Sequence, residues 1–397
     1  MINNNRIRIR PEDWLIVIGF LFAPMDSLRF IPKLGIAELS LALWSIYKLS
    51  CFWITKNIIV KLWASFLMSI IIGTFVGLQV APQESTAIPD LFIYVYFAII
   101  SFALSSYLPN DELTYLNKII AISSCLATIW YLLLYFMASN ISRSFLGATF
   151  YFGNKFTGGA ENPNKLAVYI CEILFMNFFV FIRCEERHKW MRIIAIIVCF
   201  FIGLQTQSSM FLVAVFGSAG VCLYLLLLKR VSSARNKVLI IFVTVLFIFV
   251  VGIFYSKQIY LMAYDWIASD SNGLKRFKLF ASIGSSLKKS AIFGLGPGMH
   301  ALDGQWTYHN AYLEILAMSG FVGLFIFLYF IIRMIKRFLK YADLLVLFIP
   351  LLIFGMGSFA VRNIEFWVIT CFAYAISILR DSQTDNEIEE SRNGELL

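Results

Sequence analysis

The residues best suited to acid–base chemistry lie together at the start of a long apolar run, in the segment Tyr308–Glu314. A histidine at such a boundary can take a proton from a hydroxyl group near neutral pH. Asn310 and Glu314 are four residues apart, so they share one face of the predicted helix. The structural alternative is that His309 caps the helix and that Glu314 is satisfied by a neighbouring helix. The local pattern leaves both interpretations open.

The composition indicates which elements must position this segment. The 397 residues are 60% hydrophobic and 14% charged, whereas a soluble domain has about 25% charged residues. Apolar runs long enough to cross roughly 30 Å of hydrocarbon as helices predict an all-α polytopic membrane protein with about twelve transmembrane helices. The predicted spans are 13–30, 35–50, 60–80, 90–107, 115–138, 164–183, 190–207, 209–228, 238–256, 310–333, 342–359 and 363–379.

Lysine and arginine residues give these spans a direction. With a cytoplasmic N-terminus, 21 of the 33 Lys and Arg residues fall on the cytoplasmic side, as the positive-inside rule requires. Both termini are then predicted to be cytoplasmic, and Tyr308–Glu314 lies on the opposite side. This bias explains most of the net charge of +9, so the charge points to membrane lipids as partners and requires no nucleic acid.

The span pattern divides the chain into four regions. Residues 1–256 hold spans one to nine, with a shorter outside loop near 140–163. Residues 257–308 form a long outside loop, residues 309–380 hold spans ten to twelve, and residues 381–397 form a disordered cytoplasmic tail. A loop as long as 257–308 is more often functional than idle.

The long loop carries residues suited to binding an anion. The stretch LKRFKLFASIGSSLKK (274–289) places apolar residues at helical spacing opposite lysines, which predicts a short amphipathic helix on the membrane surface. Its lysines suit lipid headgroups as well as a ligand. Arg276 is the stronger candidate, because a planar guanidinium binds phosphate oxygens in pairs and outside arginines are few. The others are Arg29, Arg143 and Arg362.

The remaining polar residues add one candidate and exclude several kinds of site. Glu38 interrupts the second predicted span, and an acid inside a span is a functional candidate by default; the alternative is a hydrated position near the interface. The three histidines are scattered without paired carboxylates, so we expect no metal site and no cofactor. The seven cysteines fall in predicted spans or on the cytoplasmic side, which predicts no disulfide framework.

One stretch resembles a known family. HNAYLEILAMSGFVG (309–323) is similar to the signature of the O-antigen polymerase and ligase superfamily, bacterial membrane glycosyltransferases of the Wzy/WaaL type with a GT-C-like helical fold. IFGLGPG (292–298) follows Arg276 as a glycine turn follows an arginine in that family. GGAENPNKLA (158–167) and LQTQSSMFL (204–212) resemble two further segments.

The resemblance covers roughly residues 145–335 and implies a metal-independent, inverting glycosyl transfer at the periplasmic face of the bacterial inner membrane. The donor would be an oligosaccharide on undecaprenyl diphosphate, and His309 would be the base that activates the acceptor hydroxyl. The implied diphosphate ligand is Arg276, with a looser match at Arg362 and Arg143 as a substitute. The supporting residues would be Asn310, Glu314 and Tyr308, with Glu38 as a candidate acceptor contact.

Three functions compete. A polymerase would add the growing glycan to the next lipid-linked repeat unit of an O-antigen or capsule, with a chain-length regulator as a candidate partner. A ligase would transfer the glycan to the lipid A core, but QTQSSM (205–210) lacks the arginine that ligases commonly carry there. A lipid-linked oligosaccharide flippase is disfavoured, because the long loop lies outside rather than between two related halves. Polymerase is therefore the favoured interpretation.

Overall fold

The computed structural model describes residues 8–31, 34–51, 54–80, 87–140, 144–151, 154–183, 186–255, 257–258, 261, 283–298, 308–358 and 360–394. Helices predominate in these ranges. They are α1 (Trp14–Phe22), α2 (Ile36–Cys51), α3 (Ile58–Val80), α4 (Ala87–Tyr107), α5 (Leu113–Asn140), α6 (Pro163–Arg183), α7 (Glu186–Gln205), α8 (Ser209–Arg230), α9 (Ala234–Phe254), α10 (283–289), α11 (Ala311–Lys340), α12 (Leu345–Gly355) and α13 (Ile364–Gly394).

Seven helices among the described residues are long and apolar enough to cross a membrane. They comprise the segments Ile58–Val80, Ala87–Asn110, Leu113–Asn140, Pro163–Arg183, His188–Gln205, Ser209–Arg230 and Ala311–Lys340. The prediction of an all-α membrane protein is confirmed at this level. The count of twelve spans and the GT-C-like arrangement stay predictions.

Three predicted segments differ from the helices found. α1 has 9 residues, about 14 Å of helix, against the predicted 13–30, because Pro24 follows its end and cannot continue it. α12 has 11 residues, against the predicted 342–359. At the C-terminus α13 continues through 381–394, so the predicted disordered tail is helical there. Ion pairs from α11 to Asp381 hold the start of this extension.

Polar contacts gather at the two opposite ends of the helices. We call them the His309 end and the Arg10 end, after a residue at each. Contacts at the His309 end join Asn310 to Met356, Asp26 to Lys165, and Arg362 to Asp90. Contacts at the Arg10 end join Arg10 to Asp13 and Asp111, Lys48 to Glu12, and Arg183 to Asp343.

The Arg10 end is held by a largely buried charge network. The Arg10 guanidinium lies 2.6 Å from Asp13 and 2.8 Å from Asp111, and the Trp44 indole donates to Asp13 over 2.8 Å. Burial raises the pKa of Asp111 above its ordinary value, although the hydrogen bond from Arg10 acts in the other direction. The network ties α1 and α2 to the segment before α5.

Five short strands lie at the His309 end of the described residues. β1 (Arg29–Ile31) pairs with β2 (Leu34–Gly35), and β3 (Ser144–Phe145), β4 (Ala148–Tyr151) and β5 (Lys155–Phe156) form an antiparallel sheet in that order. Ser144 lies opposite Thr149, and Phe150 lies opposite Phe156. The Ser27 amide donates to the Gly159 carbonyl oxygen over 3.1 Å, which links the two groups of strands.

Small residues bring α3 and α11 into close contact. Gly73 of α3 faces the break in α11, and a Cβ atom there would overlap the carbonyl oxygens of Met318 and Phe293. A Cβ atom on Gly323 would lie 3.0 Å from the Ser69 hydroxyl. Small side chains at helix contacts allow the backbones to approach closely, which drives helix packing in membranes.

A glycine turn, residues 291–298, fills a break in α11. Gly320 has φ 62°, outside the helical range, so the hydrogen-bond ladder of α11 is interrupted there. Four backbone hydrogen bonds of 2.9 to 3.1 Å connect 291–296 with 317–322. Within a membrane these groups have no water to bind, so broken helices need such partners from the protein. The turn therefore substitutes for the missing helical bonds.

Replacement of Gly73 by alanine tests this packing. We expect Gly73→Ala to destabilise the protein by about 1–3 kcal/mol, the usual cost of overpacking, because backbone atoms rather than mobile side chains block the new methyl group. Gly220→Ala is the matched control, since nothing lies within 4 Å of its Cβ position. Thermal unfolding in detergent measures both, and equal unfolding temperatures would contradict the assignment.

Candidate functional site

Asn310 fixes the start of α11. Its side-chain oxygen accepts hydrogen bonds of 3.0 Å from the backbone amides of Tyr312 and Leu313, the typical geometry of an N-cap. Its amide nitrogen donates to the Met356 carbonyl oxygen over 2.8 Å. One side chain thus caps α11 and ties it to the loop between α12 and α13.

Glu314 fixes the residues on the other side of His309. Its carboxylate accepts a hydrogen bond of 2.9 Å from the Tyr308 backbone amide. Both side chains are buried, with 2% exposure each. The Tyr308 hydroxyl lies 3.2 Å from the Ser286 hydroxyl of α10, so the turn is also attached to the short helix before the glycine turn.

His309 occupies the position between these two anchors. Its φ is 50°, in the left-handed region that a residue with a side chain seldom adopts. Such a conformation costs on the order of 1–3 kcal/mol and persists only where the surroundings impose it. Asn310 and Glu314 impose it here, and the ring is half-buried. The sequence left open whether His309 caps the helix. In the structure Asn310 is the cap, and His309 lies directly before it.

Arg362 lies in the same neighbourhood. Its guanidinium forms an ion pair of 3.0 Å with Asp90, whose side chain is 8% exposed against 31% for Arg362. The buried Tyr94 side chain lies within electrostatic reach of Arg362, Asp90 and Glu314. Tyr94 thereby connects the predicted arginine with the predicted supporting acid.

A second polar group, which we call the Asp26 cluster, contains Asp26, Arg29, Glu38 and Lys165. Asp26 lies 2.6 Å from Arg29 and 2.7 Å from Lys165, and Arg29 lies 3.5 Å from Glu38. Glu38 also accepts a hydrogen bond of 2.9 Å from the Gly35 amide. The acid in the second predicted span is thus paired at the first turn of α2.

Two buried acids extend this polar region inward. Glu365, three residues after Arg362, lies within electrostatic reach of Lys165, Glu38 and Asp26 and is 1% exposed. Glu172 is 3% exposed and interacts with Glu365. Within the described residues, neither oxygen of Glu172 nor Oε1 of Glu365 has a hydrogen-bond partner.

The structure brings together some predicted residues and leaves others untested. Tyr308, His309, Asn310 and Glu314 form one turn, with Arg362 linked to it through Tyr94, while Glu38 lies in the Asp26 cluster. Two predicted arginines lie outside the described residues: Arg276 and Arg143. Sequence reasoning missed Asp90, Tyr94, Lys165 and Glu365; the one signal for Asp90 and Glu365 was an acid at the start of a predicted span.

The polar break between α7 and α8 lies at the same end. Gln207 has φ 51°, and the Thr206 hydroxyl donates to the Gly203 carbonyl oxygen over 2.6 Å. The segment carries no cation. A Cβ atom on Gly357 would overlap the Met210 side chain, so this break packs against the loop that Asn310 holds.

The described residues contain no group of three or more His, Cys, Asp or Glu side chains that could hold a metal ion. No family model matches the chain, and no curated protein is significantly similar to it. A constrained imidazole, a nearby guanidinium and a strip of acids can move a proton and bind an anion at one end of the helices.

Glu314 variants test whether the turn is held as described. Glu314→Ala leaves the Tyr308 amide without its acceptor, and we expect a loss of about 1–3 kcal/mol. Glu314→Gln retains an oxygen acceptor and should lose less. Hydrogen exchange of the peptide containing Tyr308 should accelerate in Glu314→Ala only. Equal exchange rates in both variants would show that this bond does not order the turn.

Proposed function

We propose that the chain is a membrane glycosyltransferase that transfers a glycan from an isoprenoid diphosphate, and specifically an O-antigen or capsular polysaccharide polymerase. The observation that carries the proposal is the His309 turn, where Asn310 and Glu314 hold the histidine in an otherwise unfavourable conformation. The residues of this turn are those of the family signature that the sequence resembles. Gly320, from the same stretch, forms the break in α11.

The proposed reaction joins two lipid-linked substrates. The acceptor hydroxyl oxygen attacks the anomeric carbon of the donor while its proton passes to the His309 imidazole. The bond between the anomeric carbon and the phosphate oxygen breaks, and the electron pair leaves with undecaprenyl diphosphate. Attack opposite to the leaving group inverts the anomeric centre. The imidazole then returns its proton to solvent, so no metal or cofactor is needed to balance the step.

Arg362 is the described residue best placed to stabilise the leaving diphosphate. Its fork-shaped guanidinium suits phosphate oxygens, and fixed donors aimed at developing charge supply much of the stabilisation in such reactions. Asp90 orients it before the donor binds. The absence of a cation in the break between α7 and α8 supports a polymerase over a ligase.

Replacement of His309 distinguishes the competing functions. In cells, His309→Ala should leave single repeat units on the lipid A core if the chain is a polymerase. Long chains stranded on undecaprenyl diphosphate would indicate a ligase instead, and unchanged surface glycans would contradict both enzyme functions and favour a transporter. The matched control is His188→Ala, because His188 is an exposed histidine at the opposite end of α7; it should leave the glycans unchanged.

Arginine replacements test the binding of the diphosphate. In an assay with purified protein and lipid-linked repeat units, Arg362→Ala should lower kcat by about 10²–10³-fold, the typical effect of removing one such donor. Arg362→Lys should recover only part of the rate, because lysine lacks the fork. Arg235→Ala is the control, since Arg235 is an exposed arginine at the Arg10 end. Equal losses in Arg235→Ala and Arg362→Ala would argue against a specific role for Arg362.

A further inference from the structure

A cavity of about 430 Å³ lies between α8, α9 and α11, at the Arg10 end. It belongs to none of the sites described above. This is far more than the roughly 10–15 Å³ that such a volume needs to hold one water molecule, so it is large enough for part of a ligand. α9 leaves this space because it packs loosely: most of its described side chains are exposed, and the Tyr224 hydroxyl reaches Thr244 only over 3.4 Å.

The walls of the cavity are apolar. They are formed by Leu225 and Leu228 of α8, Ile241 of α9 and Leu339 of α11. Water is disfavoured in such a space, because it needs two to four polar partners. A hydrocarbon chain can pack against these apolar side chains and needs no hydrogen bond.

The mouth of the cavity is cationic. Lys229, Lys237 and Lys340 line it, each at or near a helix end: Lys229 and Lys340 in the last turns of α8 and α11, Lys237 in the first turn of α9. Leu225 and Ile241 lie one helical turn deeper than Lys229 and Lys237. The cavity therefore has a charged end towards the membrane surface and an apolar interior, the same polarity as a phospholipid.

The lysines are only partly neutralised by the protein. Lys340 and Arg337 both pair with Asp381, and Lys229 donates to the Lys340 carbonyl oxygen over 2.9 Å, which adds no negative charge. Lys237 has no ion-pair partner within the described residues. Segment 229–237 contains four cations and no acid. The mouth thus keeps net positive charge.

We propose that this cavity binds one anionic phospholipid of the surrounding bilayer. The phosphate lies between Lys229 and Lys237, and an acyl chain occupies the apolar interior. Basic pockets between transmembrane helices bind such headgroups, and each lysine near the headgroup contributes about a fivefold gain in affinity, since about 1 kcal/mol corresponds to that factor. The bound lipid would fill the gap that α9 leaves. This inference is independent of the proposed glycosyl transfer.

Native mass spectrometry of the full-length protein in detergent tests the proposal. The probes are phosphatidylglycerol and phosphatidylethanolamine with identical acyl chains. Wild-type protein should retain one phosphatidylglycerol per chain and bind phosphatidylethanolamine much more weakly. Lys229→Gln together with Lys237→Gln should weaken binding of phosphatidylglycerol about 30-fold. Equal retention of the two lipids by the wild type would overturn the proposal, as would a dimer of the chain that excludes lipid.

Matched variants separate loss of binding from loss of folding. Lys56→Gln together with Lys61→Gln removes two exposed lysines from the same end and should leave lipid binding unchanged. If the double variant at the cavity unfolds, Lys237→Gln alone serves, because Lys237 has no side-chain partner among the described residues, and it should weaken binding about fivefold. Leu225→Trp should expel the lipid by filling the interior. Lipid retention by Leu225→Trp would place the lipid elsewhere and contradict the proposal.

Discussion

The arrangement depends on one constraint: a transmembrane helix that is broken must have its freed backbone groups satisfied by the protein. α11 breaks at Gly320, and the glycine turn supplies four backbone hydrogen bonds to the residues on either side. Gly73 allows α3 to pack against this junction. Because α10 lies directly before the glycine turn, the same junction fixes where Ser286 meets Tyr308. The position of His309, the candidate base, therefore depends on the hydrogen bonds between the glycine turn and α11.

The part of the fold that the sequence predicts well is the part with a local signal. Long apolar runs predict α3 to α8 and α11, since hydrophobic burial in lipid needs nothing beyond length and composition. The start of α11 at Asn310 and the tight turn at 294–298 are also visible locally, because N-caps and left-handed glycines have short-range causes. The short α1 and the helical extension of α13 were not predicted, since Pro24 interrupts an apolar run and Asp381 is held by another helix.

The candidate site is predicted less completely, because its partners are distant in the chain. Asp90 and Arg362 are 272 residues apart, and Asp26 and Lys165 are 139 apart. No local pattern pairs such residues; only the packing of the helices does. For the same reason the sequence showed no partner for Glu38, whereas in the structure it pairs with Arg29. Glu314 was expected either to act in the site or to be satisfied by a neighbouring helix, and its described bond is to the turn before its own helix.

The pairing of Arg362 with Asp90 has a consequence for how an anion could bind. If the guanidinium turns to a diphosphate, the nearly buried Asp90 carboxylate loses its ion pair with Arg362, and breaking such a pair is costly. Tyr94 offers a way to limit that cost: its buried hydroxyl has no hydrogen-bond partner among the described residues and lies within electrostatic reach of Asp90 and Arg362. A hydroxyl donated to Asp90 would replace the lost partner. Under the proposed function, the diphosphate of the donor substrate would thus replace Asp90 as the anion bound to Arg362. Glu314 also lies within electrostatic reach of the Tyr94 hydroxyl, so this replacement would change the electrostatic surroundings of the turn that carries His309.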